Sequence, residues 1–137
     1  MLWGSKKKKT TRIDSLIGQD TEVHGDIVFS GALHVDGSVK GSVISEDTSS
    51  SLFTLSEQGM VEGEVRVPNV VLNGRVVGDV YAYENVELAV NARVFGNVYY
   101  NLLEMAMGAE INGSLVHAKD MKPELPKPNA GNKEKEK

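Results

Sequence analysis

Cysteine is absent from this chain, and disulfides, thiolate zinc sites and thiol nucleophiles go with it. An intracellular setting is then at least as compatible with the composition as a secreted one. Proline is scarce, with four residues, three of them between positions 123 and 128. No apolar run is long enough to cross a bilayer. The 137 residues leave room for one domain with tails and exclude a large multidomain enzyme. Positive charge is scarce in the middle of the chain: residues 13–118 hold four bases, Lys40, Arg66, Arg75 and Arg93, against fifteen acids.

Glycine is plentiful, with 14 residues, and the charge is unevenly placed. The formal net charge of −4 hides +5 on residues 1–12, −11 on residues 13–118 and +2 on residues 119–137. These are a basic arm, an acidic body and a mixed-charge tail. From Lys119 onward the apolar content is Met121, Leu125 and Ala130, too little to offset the entropy of ordering, so a disordered tail is expected over 119–137. The division expected is a disordered arm over 1–13, a folded body over 14–118 and the tail.

The body alternates strictly. Odd positions from Val23 to Val43 are apolar or Gly without a break, and the even positions between them are mostly polar. Period two predicts strands with one buried face. Later runs, Val70 to Ala82 and Val94 to Val98, keep the alternation on even numbers. A five-residue unit, apolar-x-Gly-x-apolar, recurs at Val23–Ile27, Val39–Val43, Val61–Val65, Val76–Val80, Val94–Val98 and Ile111–Leu115. Its glycines are spaced by 16, 22, 15, 18 and 17 residues, and the long interval contains the polar insert 46–51. A period near 17 with alternation predicts an all-β parallel solenoid of about six coils, each coil supplying three short strands. At about 4.8 Å per coil the rod is roughly 30 Å long. The glycines are expected on the inward phase, where the narrow axis leaves no room for a side chain, or near corners that need φ > 0.

A rod has two ends, and an open sheet edge recruits another edge unless something covers it. The residues before the first unit, Ile13, Leu16 and Ile17, are too few for a capping helix, and the last coil is itself apolar. The expectation is end-to-end association into a filament. The interface residues expected are Leu16, Ile17, Val23 and Ile27 at one end and Leu102, Leu103, Met105, Met107, Ile111 and Leu115 at the other.

Met1, Leu2 and Trp3 followed by Lys6, Lys7, Lys8 and Lys9 form an apolar hook beside a polybasic run. The charge follows the apolar part, so this is not a secretory signal. Trp favours the membrane interface and each Lys near an anionic leaflet contributes about 1 kcal/mol. One arm binds weakly and a polymer of arms binds by avidity. Nucleic acid is disfavoured because the acidic body offers few bases to continue a phosphate track.

The repeated units, above all Leu33-His34-Val35-Asp36-Gly37-Ser38-Val39-Lys40-Gly41 and Val71-Leu72-Asn73-Gly74-Arg75-Val76-Val77-Gly78-Asp79-Val80, resemble the bactofilins, small polymer-forming bacterial cytoskeletal proteins. The resemblance covers about residues 14–118 and implies a right-handed β-helix. It further implies nucleotide-independent head-to-tail polymerisation and a cytoplasmic scaffold peripheral to the inner membrane. Such a scaffold localises cell-wall synthases or peptidoglycan hydrolases and affects cell shape or polar organisation. The segment Met1 to Lys9 is similar to the membrane-targeting sequence of many members.

Catalytic, cofactor and metal residues are not expected. No phosphate-binding loop is present, and no Asp-x-Asp calcium spacing occurs. His24, His34 and His117 form no close pair in sequence and are read as solvent-facing. The acids read as a solvated wall that limits sideways aggregation. Tyr81, Tyr83, Tyr99 and Tyr100 could make an aromatic docking patch or simply be good strand residues. The main competing class is a hexapeptide-type β-helix acyltransferase, because Gly25, Gly31 and Gly37 fall six apart, but the next step is four, to Gly41. An extracellular adhesive or ice-binding solenoid would lack its secretion signal and leave the basic arm unexplained.

Overall fold

The computed structural model describes residues 13–45 and 50–118. The basic arm, the tail and most of the polar insert lie outside the described residues. The rest of the chain winds into six coils of three strands. The first coil is β1 (Ser15–Ile17), β2 (Glu22–His24) and β3 (Ile27–Phe29). The second is β4 (Ala32–Val35), β5 (Ser38–Lys40) and β6 (Val43–Ser45). The third begins with β7 (Leu52–Leu55) and β8 (Met60–Glu62) and ends in the first half of β9 (Val65–Leu72). The second half of β9, β10 (Arg75–Val77) and the first half of β11 (Val80–Leu88) make the fourth. The fifth runs through the second half of β11, β12 (Arg93–Phe95) and the first half of β13 (Val98–Met105). The second half of β13, β14 (Glu110–Asn112) and β15 (Leu115–His117) close the sixth.

Every strand pairing among the described residues is parallel and joins successive coils, so the rod is a three-sided prism. Face one carries β1, β4, β7 and the second halves of β9, β11 and β13. Face two carries β2, β5, β8, β10, β12 and β14. Face three carries β3, β6, β15 and the first halves of the long strands. The five-residue unit spans the corner between faces two and three. Its first apolar residues stack as one inward column, Val23, Val39, Val61, Val76, Val94 and Ile111. Its last stack as another, Ile27, Val43, Val65, Val80, Val98 and Leu115. Face one adds Leu33, Phe53, Val70 and Val86 in one column and Val35, Leu55, Leu72 and Leu88 in a second. Within the interior coils these side chains are all but fully buried. No helix long and apolar enough to cross a membrane occurs among the described residues.

The unit's glycines sit at the corner and not on the axis. At Gly41, Gly63, Gly78, Gly96 and Gly113 an added Cβ would meet the carbonyl oxygen of the glycine one coil before. Four of the six corners, at Gly25, Gly63, Gly78 and Gly96, also have positive φ. Close stacking of backbone on backbone and the left-handed turn therefore both select glycine. The residue after each glycine is short and polar at most coils, and its side chain caps the backbone N–H above it. Asp26 Oδ1 accepts from Ser42 N–H (2.8 Å), Asp79 Oδ1 from Asn97 N–H (2.9 Å) and Asn97 Oδ1 from Ser114 N–H (3.0 Å).

The uneven spacing is absorbed at the other two corners. Coil four, with the one-residue link Pro68 and the short turn Asn73-Gly74, gives the spacing of 15. Coil three, with the link 46–51 and the longer turn Ser56–Gly59, gives 22. Pro68 falls between the two halves of β9, where the chain bends. The six-residue echo has the same origin: Gly25, Gly31 and Gly37 stand at three successive corners of the prism.

Candidate polymerisation faces at the two ends of the rod

The functional surface follows from where the columns stop. Ile17, Val23 and Ile27 head the inward columns at the first coil and are only partly buried, whereas Val35, Val39 and Val43 directly behind them are fully buried. Leu103, Ile111 and Leu115 end the columns at the last coil, beyond the fully buried Val86, Val94 and Val98. Met105 and Leu115 are 43% and 40% exposed although their side chains are aligned with the core. Each end therefore presents a cross-section of the core ringed by three strand edges with no partner among the described residues.

The structure brings together most of the interface residues expected from the sequence, though not all. Ile17, Val23 and Ile27 converge at one end, and Leu103, Met105, Ile111 and Leu115 at the other. Leu16 is 60% exposed because it lies in register with His34, on the outward column of face one. Leu102 is 62% exposed on the rim of the last coil, and Met107, 91% exposed, projects from the turn between β13 and β14. Sequence reasoning missed the fifth inward column, which ends in Tyr100 and His117 with ring centroids 5.5 Å apart. The shared parity of Leu115 and His117 was the available signal. Met1, Leu2, Trp3 and Lys6 to Lys9 lie outside the described residues.

The tyrosines do not form one patch. Tyr81 and Tyr99 stack on face three at 4.7 Å with nearly parallel rings, and the Arg66 guanidinium lies 4.2 Å over Tyr81. Tyr100 points inward, and Tyr83 is buried at the corner. Burial first, and then the nearby Glu64 charge, raise the Tyr81 phenol above its ordinary value. Burial opposes the charge on Arg66, but Glu64, 3.0 Å away, and Tyr83 outweigh it and hold the guanidinium firmly protonated.

The acids are not an even wall. Face one and its flanking corners carry Asp14, Asp20, Asp36, Glu57, Glu84, Glu87 and Glu104 with no Lys or Arg among the described residues. Face two is balanced, with Lys40 between Glu22 (3.5 Å) and Glu62 (3.7 Å) and Arg93 beside Glu110 (3.6 Å). Both His24 and His34 are on the outward phase. His34 Nε2 lies 2.9 Å from Asp36 Oδ1, and the Ser56 hydroxyl, followed by this imidazole, holds the Asp36 carboxyl below its ordinary 3.8. No group of three or more His, Asp or Glu able to hold a metal ion occurs among the described residues.

A family model described as "Bactofilin: Polymer-forming cytoskeletal" matches residues 15–116. Bactofilin BacO of Myxococcus xanthus (strain DK1622) is 29% identical over 110 residues, covering 80% of this chain and 84% of BacO. Bactofilin BacP of the same organism is 33% identical over 96 residues, covering 69% of this chain and 40% of BacP. A cryo-EM reconstruction of Thermus thermophilus bactofilin double helical filaments shares 34% identity and a TM-score of 0.66, covering 76% of this chain and 99% of that one.

Proposed function

The chain belongs to the bactofilin family of polymer-forming cytoskeletal proteins, and from that premise we propose that it is a membrane-attached filament scaffold whose rods join through their end faces. The observation that carries the reading is the exposed core section at both ends: the same columns that are sealed inside the rod are open at Ile27 and at Leu115. Joining two ends removes apolar surface from water and pairs strand edges, and it needs no nucleotide. The arm of Met1, Leu2, Trp3 and Lys6 to Lys9 holds the polymer at the cytoplasmic face of the inner membrane, with many weak contacts adding by avidity. The filament then serves as a platform that localises cell-wall synthases or peptidoglycan hydrolases and so affects cell shape or polar organisation.

Negative-stain microscopy without nucleotide tests the filament, and single rods at every salt and protein concentration would remove it. Two end-blocked variants, Ile27→Asp and Leu115→Asp, test how the rods join. Head-to-tail joining, the expectation from the sequence, continues the glycine ladder from Gly113 to Gly25. It gives single rods for each variant alone and dimers when the two are mixed. Like-to-like joining instead gives dimers of each variant alone, because each keeps one self-complementary end.

A further inference from the structure

Face one carries a shallow cleft between coils five and six, about 460 Å³, lined among others by Glu87, Leu88, Val90, Glu104 and Met105. Two features there are unresolved by the fold itself. Val90 and Met105 are 51% and 43% exposed, beside the 91% exposed Met107, so the apolar side chains where β11 and β13 run into their turns stand uncovered among the described residues. Glu87 and Glu104 are in direct register on neighbouring strands, two like charges opposite one another on a face with no Lys or Arg among the described residues. The nearest base, Arg93, is turned to the carbonyls of Val90, Ala92 and Gly108 and to Glu110.

The arm has the complementary chemistry. Residues 1–12 combine Leu2 and Trp3 with Lys6 to Lys9 and Arg12 and carry no acid. The described chain starts at Ile13, immediately before β1 on this same face. From there coils five and six lie four to five steps away, about 19–24 Å. Ten residues separate Trp3 from Ile13, an extended reach of up to about 33 Å. Seven residues separate Lys6 from Ile13, a reach of about 23 Å. Trp3 therefore reaches the cleft, and Lys6 and Lys7, six to seven residues from Ile13, come within a side chain's length of Glu87 and Glu104, whereas Lys8 and Lys9 stop over the middle coils.

We propose that the basic arm lies back along face one of its own rod, with Leu2 and Trp3 in the cleft at Val90 and Met105 and Lys6 and Lys7 against Glu87 and Glu104. The docked arm is withheld from the membrane, because the same side chains serve both contacts, and an anionic surface must compete for it. The inference stands apart from the membrane reading: it concerns the protein without lipid.

Trp3 is the sole tryptophan, so its emission reports the arm directly. The experiment uses the full chain carrying both Ile27→Asp and Leu115→Asp, which keeps rods single under either mode of joining, in low-salt buffer without lipid, with a synthetic peptide of residues 1–12 as the reference. Docking predicts a blue-shifted emission and quenching by acrylamide about threefold weaker than in the peptide, both lost on adding salt. Glu87→Gln with Glu104→Gln, or Val90→Ser alone, restores the peptide's behaviour, whereas Glu62→Gln with Glu110→Gln on face two leaves the protection intact. Peptide-like emission in the parent protein overturns the proposal, and so does equal protection in the Glu87/Glu104 pair and the Glu62/Glu110 pair. Protection that grows with protein concentration overturns it in favour of a neighbour's arm. Vesicle flotation with and without residues 1–9 judges the membrane reading separately.

Discussion

The glycine corner separates two reasons for glycine that usually occur together. At Gly25 φ is +132° and nothing lies within 4 Å of a Cβ, because no coil precedes it. At Gly41 φ is unremarkable, but a Cβ would strike the Gly25 carbonyl and the Asp26 nitrogen. At Gly78 both conditions hold, with φ +142° and the Gly63 carbonyl in the way. A side chain forced into this region of φ costs about 1–3 kcal/mol. A methyl pushed against stacked backbone costs about 1–3 kcal/mol as overpacking, with no flexible neighbour to give way. Replacing glycine by alanine returns about 0.4–1 kcal/mol through the unfolded chain in every case. Gly25→Ala and Gly41→Ala should therefore each destabilise by about 1–2 kcal/mol and Gly78→Ala by about 2–5 kcal/mol. Thermal unfolding followed by circular dichroism reads this as a Tm drop of at least about 4 °C per kcal/mol. The background should be the chain blocked at both ends by Ile27→Asp and Leu115→Asp, since association raises apparent stability. A Gly78→Ala chain as stable as Gly25→Ala would refute the stacking account, and a neutral Gly41→Ala would do the same.

Phe53→Ala in the fully buried face-one column should cost about 3–5 kcal/mol, measured by urea unfolding in the same background. Asp36 has a depressed folded pKa, so its contribution is fully present above its ordinary 3.8 and is lost as pH falls through the folded value. The Tm gap between the parent and Asp36→Asn should accordingly be largest near neutrality and close as pH falls below 3.8 through the folded value; a gap that widens on acidification would reverse the sign of the argument. Replacing Lys6 to Lys9 by glutamine should weaken binding to anionic vesicles by roughly 1 kcal/mol per lysine near the surface. The loss should shrink in high salt and vanish on neutral vesicles, as flotation would show.

Much of this architecture could be read from the sequence, for a physical reason. In a solenoid each residue's neighbour lies one coil away, so the pairing register is itself a sequence period. Val23, Val39, Val61, Val76, Val94 and Ile111 were found as a repeated unit and are one column in space. The role of the glycines was only half legible: alternation puts them on the inward phase, but a corner breaks the phase, and only the stacked carbonyls reveal why they are there. The path through Pro68 and through Tyr83-Glu84 was not legible, because strands that continue around a corner carry no turn signal. The aromatic patch failed for a different reason. Tyr99 and Tyr100 are adjacent in sequence and therefore point to opposite sides of one strand.

The end faces were legible because they are not a separate patch grafted on the fold. Ile27 differs from Val43, and Leu115 from Val98, in exposure and not in kind. An interface made of the folding repeat has a consequence for how it is controlled. Apolar columns and strand edges supply affinity at either end, but they are the same at both and so cannot by themselves choose a partner end. Discrimination must come from the residues that break the repeat. Ser15 stands at the head of the column that continues as Leu33, Phe53, Val70, Val86 and Leu103. His117 closes the column that begins with Phe29. A joint that seals the last coil covers this ring and its Tyr100 neighbour, 5.5 Å away. His117→Asp puts a carboxylate into that joint and should abolish filaments, whereas His117→Phe matches the Phe29 that heads the same column and should keep them. Sedimentation of both variants decides it, and equal pelleting of the two would assign the selectivity elsewhere.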